Sequence, residues 1–361
     1  MRVRFSDVLN IINGKNQKQV ENPNGKYPIY GSGGIMGYAD SYICEPNTVI
    51  IGRKGSINKP IYVEVPFWNV DTAFGLYADK SKLIPKYLYY FCEKFDFEKL
   101  STTVTIPSLT KANLLDIEMQ LPPLDEQYRI VGVLDKVCGL IVKRQSQLNM
   151  LDELVKSRFI EMFGDPVANP HGFKRVTLSE LAEIKIGPFG SLLHKEDYIE
   201  GGHPLLNPSH IIDGKVAPDS KLTISDKKYA ELEAYHLHVG DVIMGRRGEM
   251  GRCAVVPYEG FLCGTGSLLI RVRGEVTADY IQKIISFPSF KKAIEDMAVG
   301  QTMPNLNVPI VSRFQIIKPP VEVQNSYYTF VKQTDKLELV AQKSLEKLEI
   351  LKKSLMQQYF G

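Results

Sequence analysis

A stretch ending at Gly164 returns at the C-terminus with one constant offset, and this internal repeat constrains the fold more than any local motif. Thr105-Ile106-Pro107-Ser108-Leu109 reappears as Thr302-Met303-Pro304-Asn305-Leu306. Leu121-Pro122-Pro123-Leu124-Asp125-Glu126-Gln127 reappears as Lys318-Pro319-Pro320-Val321-Glu322-Val323-Gln324. The segment from Leu151 to Phe163-Gly164 reappears as Leu348 to Phe360-Gly361. A single register means that no insertion or deletion separates these pairs. A domain-sized period argues for two similar units and against a solenoid. The segments upstream of each repeat scarcely resemble one another, so the pattern reads as two different heads on one duplicated stalk.

Each stalk begins where a strand-like segment meets a proline pair. Proline lacks the amide donor and steers the residue before it away from helix, so Pro122-Pro123 and Pro319-Pro320 mark boundaries. Asp125 and Glu126 supply the acidic first turn that a helix dipole favours. Apolar residues then recur by threes and fours. The first stalk has Ile130, Leu134, Val137, Ile141, Leu148, Leu151, Val155 and Met162, interrupted by Arg144 and Arg158. The second has Tyr327, Val331, Thr334, Ala341, Leu345, Leu348, Leu355 and Tyr359, interrupted by Glu338 and Lys352. Gly164 followed by Asp165-Pro166 is a helix stop. A helix over 125–163 would run about 57 Å at 1.5 Å per residue. That length outruns a small domain, so the two apolar stripes are expected to cover each other. The heptads alone leave the direction open, and a pseudo-twofold axis relating two repeats favours antiparallel pairing.

The expected fold class is therefore α/β (mixed α+β), with two heads joined by two long helices that form an antiparallel coiled coil. The expected boundaries are 1–124 for the first head, 125–170 for the first helix and linker, 171–320 for the second head and 321–361 for the second helix. Both heads alternate short β-rich runs with turns and include one helical stretch. With 44% hydrophobic and 24% charged residues the chain can bury cores, and its net charge of +3 tolerates an anionic partner without requiring one. Five cysteines, an odd number without Cys-x-x-Cys spacing, argue against a disulfide framework or zinc knuckle and for reduced thiols in the cytoplasm.

The strongest chemical echo between the heads is a strand followed by Gly-Arg-basic-Gly. It reads Thr48-Val49-Ile50-Ile51 then Gly52-Arg53-Lys54-Gly55-Ser56 in the first head, and Val242-Ile243-Met244 then Gly245-Arg246-Arg247-Gly248 in the second. Glycines let backbone amides approach an anion, and Arg and Lys bring charge and donors, which suits a nucleic-acid phosphate. One such loop is as natural in a solvated hairpin; its recurrence in two diverged heads favours DNA contact. The candidate phosphate anchors are Arg53, Lys54, Arg246 and Arg247. The candidate base readers are Ser56, Tyr30, Asn207, Ser209 and His210. Gly31-Ser32-Gly33-Gly34 and Gly187-Pro188-Phe189-Gly190 lack the spacing of nucleotide loops and read as turns. His236-Leu237-His238 lacks an acidic or cysteine partner for a metal. Asp197 with Asp213-Gly214-Lys215 fits a nuclease carboxylate pattern only loosely. No catalytic residue, metal site or cofactor of the chain's own is expected.

These residues carry a family resemblance. Tyr27-Pro28-Ile29-Tyr30-Gly31-Ser32-Gly33-Gly34, Ile50-Ile51-Gly52-Arg53-Lys54-Gly55-Ser56, the two Pro-x-Leu motifs, the two Pro-Pro motifs and the long helices follow one another in the order found in the specificity (S) subunit of type I restriction-modification enzymes. The resemblance spans the whole chain. It implies a subunit without catalysis, in which each target recognition domain reads one half of a split double-stranded DNA target and the coiled coil sets the spacer. It further implies two modification subunits that methylate adenine with S-adenosylmethionine, and restriction subunits that use ATP and magnesium. The rivals are a self-contained DNA methyltransferase or nuclease, and a coiled-coil scaffold. The methyltransferase reading lacks the polar residue and the aromatic that flank Pro-Pro in an adenine-binding loop, since here the pairs read Leu-Pro-Pro-Leu and Lys-Pro-Pro-Val.

Overall fold

The computed structural model describes residues 1–54, 56–100, 108–298 and 305–361. Gly55, Thr105-Ile106-Pro107 and Thr302-Met303-Pro304 lie outside the described residues. The chain divides into two compact units, Met1–Leu148 with Val340–Gly361, and Asn149–Leu339. Each unit therefore holds one head, the first half of the helix leaving it, and the last half of the other long helix.

The heads share one plan despite their unlike sequences. In the first, an antiparallel sheet runs in the order Leu9–Asn13, Ala73–Ala78, Thr48–Gly52, Ile61–Val63. In the second the order is Ala182–Ile186, Ser267–Val272, Val242–Gly245, Cys253–Val255. The central strand of each sheet is buried on both faces. Alternation sends Val49 and Ile51 to the core under helix Pro85–Lys94, and Ile50 to a smaller core on the other side. Val242 and Met244 likewise face the main core of the second head, and Ile243 the smaller one. A second sheet in each head contains a parallel pair: Tyr27–Gly31 beside Trp68–Asn69, and His203–Leu206 beside Phe261–Cys263.

One glycine in each head fixes how closely these layers meet. Gly14 donates its amide to the Ala73 carbonyl and Gly187 donates to that of Ser267. A Cβ on Gly14 would stand 1.8 Å from the Val70 carbonyl oxygen, and one on Gly187 would stand 2.0 Å from that of Gly264. Gly187 is thus a point of close backbone approach, matched by a glycine far outside the visible repeat.

The stalks are helices Leu124–Phe163 and Val321–Phe360, each of 40 residues. Their repeated glutamine is a clamp. Gln127 Oε1 accepts from the Ile84 amide at 2.9 Å, and its Nε2 donates to the Lys82 and Pro122 carbonyls. Gln324 Oε1 accepts from the Thr277 amide at 2.9 Å, and its Nε2 donates to the Pro319 carbonyl. Ile84 and Thr277 are the N-terminal caps of the head helices Pro85–Lys94 and Ala278–Ser286. Both glutamines are fully buried, so losing either would leave buried donors unpaired at a cost of about 1–3 kcal/mol.

Within each unit the start of one stalk packs against the end of the other, so the two run antiparallel there. In the first unit Ile130, Leu134, Leu355 and Met356 share the head's core, and the Phe360 ring lies 5.0 Å from that of Tyr87. In the second, Phe159 and Phe163 join Tyr327, and Phe163 lies 5.2 Å from Tyr280. Tyr87 and Tyr280 hold matching places, each donating its hydroxyl to the strand before its own stalk, at Gln120 and Ile317. Three of the polar interruptions have partners. Arg144 Nε donates to Ser344 Oγ at 3.1 Å, Lys352 pairs with Glu93 at 2.6 Å, and Arg158 stands over the Phe330 ring. Glu338 is exposed.

All five cysteines are free thiols, and burial pushes the Cys44 and Cys253 pKa up to about 12. Among the described residues no helix is long and apolar enough to cross a membrane.

Candidate nucleic-acid interface

The basic loop is held in the same way in both heads. The Arg53 amide donates to the Thr72 carbonyl at 2.8 Å, and the Arg53 carbonyl accepts from the Leu109 amide at 3.0 Å. The Arg246 amide donates to the Gly266 carbonyl and the Arg246 carbonyl accepts from the Leu306 amide, both at 3.0 Å. Leu109 and Leu306, the closing residues of the repeated Pro-x-Leu motif, are fully buried. In sequence this motif and the basic loop stand far apart; the fold ties one to the other.

A third segment joins them, the turn that follows the parallel strand. A Cβ on Gly52 would lie 2.9 Å from Ser32 Cβ, and one on Gly245 would lie 3.1 Å from Pro208 Cβ. Each head thus gathers at one end of its sheet the loop after the central strand, the turn after the parallel strand, and the segment before the stalk.

The candidate anchors differ in what they have left to offer. Arg53 and Lys54 are exposed, and among the described residues neither forms an ion pair; Arg53 only leans over the Phe74 ring. Arg247 is exposed and likewise has no ion pair among the described residues. Arg246 is half-buried, with Nε donating to the Leu306 carbonyl at 2.9 Å. Burial, and then the neighbouring charge of Arg247, lower its pKa. Arg246, expected as a phosphate anchor, therefore also clamps the loop through its Nε. Two further cations of this head share one carboxylate, which offsets only part of their charge. Glu249 pairs with Arg252 at 2.9 Å and with Lys291 at 2.7 Å, and these bonds hold its carboxyl below the usual range.

The candidate base readers also separate. Ser56 and Ser209 are exposed. Asn207 is half-buried, its Oδ1 lying 2.3 Å from where a Cβ on Gly264 would stand. Tyr30 is half-buried and sets its ring edge-on to Phe67 at 5.4 Å. His210 is only 5% exposed, and its Nδ1 sits 2.7 Å from the Leu205 carbonyl. His210 is thus a core residue beneath the turn and not a base reader, and Tyr30 serves the core more than the surface. The other polar motifs are engaged structurally. Asp197 accepts from the His194 amide and pairs with Lys228, Asp213 lies at a hairpin turn, and His236 stacks on Tyr229 at 3.7 Å with Nε2 on the Tyr229 carbonyl.

Sequence reasoning missed the apolar residues that flank these loops. Ile35, Met36 and Ile212 are 56%, 62% and 55% exposed. The available signal was an Ile-Met pair straight after a Gly-Gly turn, and an isoleucine before Asp213-Gly214.

Comparison with known proteins bears on both heads. A family model described as the type I restriction modification DNA specificity domain matches residues 1–150 and again 170–349. The type I restriction enzyme MjaVIII specificity subunit of Methanocaldococcus jannaschii is 21% identical, over 98% of this chain and 90% of its own length. The Escherichia coli EcoBI specificity subunit is 19% identical over 100% of this chain and 85% of its own. Among solved structures, the S subunit of a type I restriction-modification system from M. genitalium superposes with a TM-score of 0.65 at 17% identity, covering 100% of this chain and 96% of that one.

Proposed function

Because this chain belongs to the type I restriction-modification DNA specificity family, we propose that each head reads one half of a split DNA target and that the paired stalks set the spacer between the halves. The chain is the DNA-recognition subunit of such a system and is not itself a catalyst. The observation that carries the reading is the duplicated basic loop, bonded alike in two heads of unlike sequence. Backbone phosphates need the same cations in both halves, while different half-sites need different surfaces around them. The stalks, matched in length and register, suit a part whose job is to keep distance. On this reading adenine methylation with S-adenosylmethionine resides on two docked modification subunits. ATP- and magnesium-dependent cleavage resides on restriction subunits, and the whole works in the cytoplasm.

The test is binding to duplex DNA by the full chain with its modification subunits, followed by gel shift at rising salt. Binding that weakens linearly in the logarithm of salt concentration is the expected result. No salt-sensitive binding under these conditions would leave a coiled-coil scaffold as the better account. DNA methylation by the purified chain alone, given S-adenosylmethionine, would instead reinstate a self-contained methyltransferase.

A further inference from the structure

We infer that the apolar hairpin tips beside the basic loops, Ile35–Met36 in the first head and Ile212 in the second, are base-contacting elements that enter a DNA groove; this rests on the DNA-reading role proposed above. In the first head, strands Tyr27–Gly31 and Gly34–Ala39 form a hairpin turned by Ser32-Gly33. Ile35 pairs with Tyr30 and Gly37 pairs with Ile29, so Met36 is the extra residue of a β-bulge. An unbroken strand sends neighbours to opposite faces; the bulge turns both Ile35 and Met36 outward, at 56% and 62% exposure. Bulges of this kind re-aim side chains beside functional sites. Gly33 and Gly34 carry no side chain and have open space where one would be, so the backbone at the tip can approach a surface closely.

The tip is continuous with the cationic end of the head. A Cβ on Gly31 would lie 2.6 Å from Met36 Sδ, Ser32 follows and sits on Gly52, and Gly52 leads into the exposed Arg53 and Lys54. An exposed apolar pair flanked by cations that form no ion pair among the described residues matches a polymer whose backbone is anionic and whose bases offer apolar faces and thymine methyl groups. Aliphatic side chains meet thymine methyl groups in the major groove or wedge against a base step.

The second head reaches the same arrangement with different residues. One short turn, Pro208–His210, after the equivalent parallel strand, Ile211–Ile212 and Lys215–Val216 pair around Asp213-Gly214, both with positive φ as a tight two-residue hairpin requires. Ile211 points into the core, and Ile212 points out. Ile212 lines a cavity of about 450 Å³ together with Glu249 and Arg252 of the basic loop. Two unrelated hairpins, each bearing an exposed isoleucine beside the basic loop of its own head, amount to independent instances of one device.

The experiment uses the full chain with its modification subunits and a pool of short duplexes with randomised interiors. Bound duplexes are sequenced, and salt slopes are measured on the selected target. The combined Ile35→Ser and Met36→Ser variant is expected to lose about ten- to a hundredfold in discrimination at positions of one half-site, with the other half-site and the salt slope unchanged. Ile212→Ser is expected to do the reverse. Full discrimination retained by both variants overturns the inference while leaving the DNA-reading role intact. Intact discrimination with weakened capture of the modification subunits also overturns it, by showing a protein-docking surface. Failure of the unaltered assembly to bind DNA overturns the inference together with the reading beneath it.

Discussion

Phe163→Ala is expected to destabilise the unit formed by Asn149–Leu339 by about 3–5 kcal/mol, the usual cost of removing a buried aromatic ring. Phe163 is fully buried, and its ring lies 5.2 Å from Tyr280, 5.4 Å from Tyr327 and 5.0 Å from Phe159. All three neighbours are themselves buried and hold the base of the second head, so the cavity has little freedom to collapse. A loss of that size is a large share of a domain's total stability. Amide hydrogen exchange read along the chain should show protection falling across 149–339 and persisting across 1–148 and 340–361. The opposite distribution would contradict the assignment of this helix end to the second head. Phe360→Ala, at the matching position against Tyr87, should mirror the result in the first unit with a smaller loss, since Phe360 is only partly buried.

Neutralising the three exposed loop cations together, Arg53→Gln with Lys54→Gln and Arg247→Gln, should weaken binding to every duplex while leaving stability intact. Each phosphate that is no longer neutralised flattens the salt dependence by about 0.9, or about 2.7 in the log–log slope if all three residues touch phosphate. Arg246→Gln should behave differently, costing stability as well as affinity, because its guanidinium holds the Leu306 carbonyl. Lys291→Ala should change the slope less than loss of Arg247, because Lys291 is held by Glu249, which it shares with Arg252. An unchanged slope in the triple variant would remove both loops from the DNA interface.

The architecture was legible in the chain because the stalk signals are local. A proline pair starts each helix, heptads carry it, and Gly164 ends the first, which runs Leu124–Phe163 against the 125–163 expected from the sequence. What escaped depends on partners distant in sequence. Lys352 reads as a break in a seam until Glu93, far upstream, is found beside it. Gln127 and Gln324 stand in a visible repeat, yet their clamping role needs the head-helix caps that they bond. Gly14 and Gly187 end segments that share Val3, Ser6, Asp7 and Ile11 with Val176, Ser179, Glu180 and Ile184, yet the close approach they permit shows only against backbone far along the chain. In the candidate interface the loop was legible from composition, but the allocation of its charges was not. Arg246 and Arg247 are neighbours of one kind, and only the fold turns one onto the Leu306 carbonyl and leaves the other exposed. His210 offered suitable donors and acceptors, and its fate was decided by the core beneath it.

The central claim is that this chain selects a split DNA target. Its most direct measurement is a map of methylated adenines in cells that carry the chain with the modification subunits proposed for it, compared with cells lacking only this chain. The account predicts a motif of two different half-sites separated by a fixed gap of unspecified bases, absent when the chain is removed. An unbroken motif, or a methylation map that is the same without the chain, would contradict it.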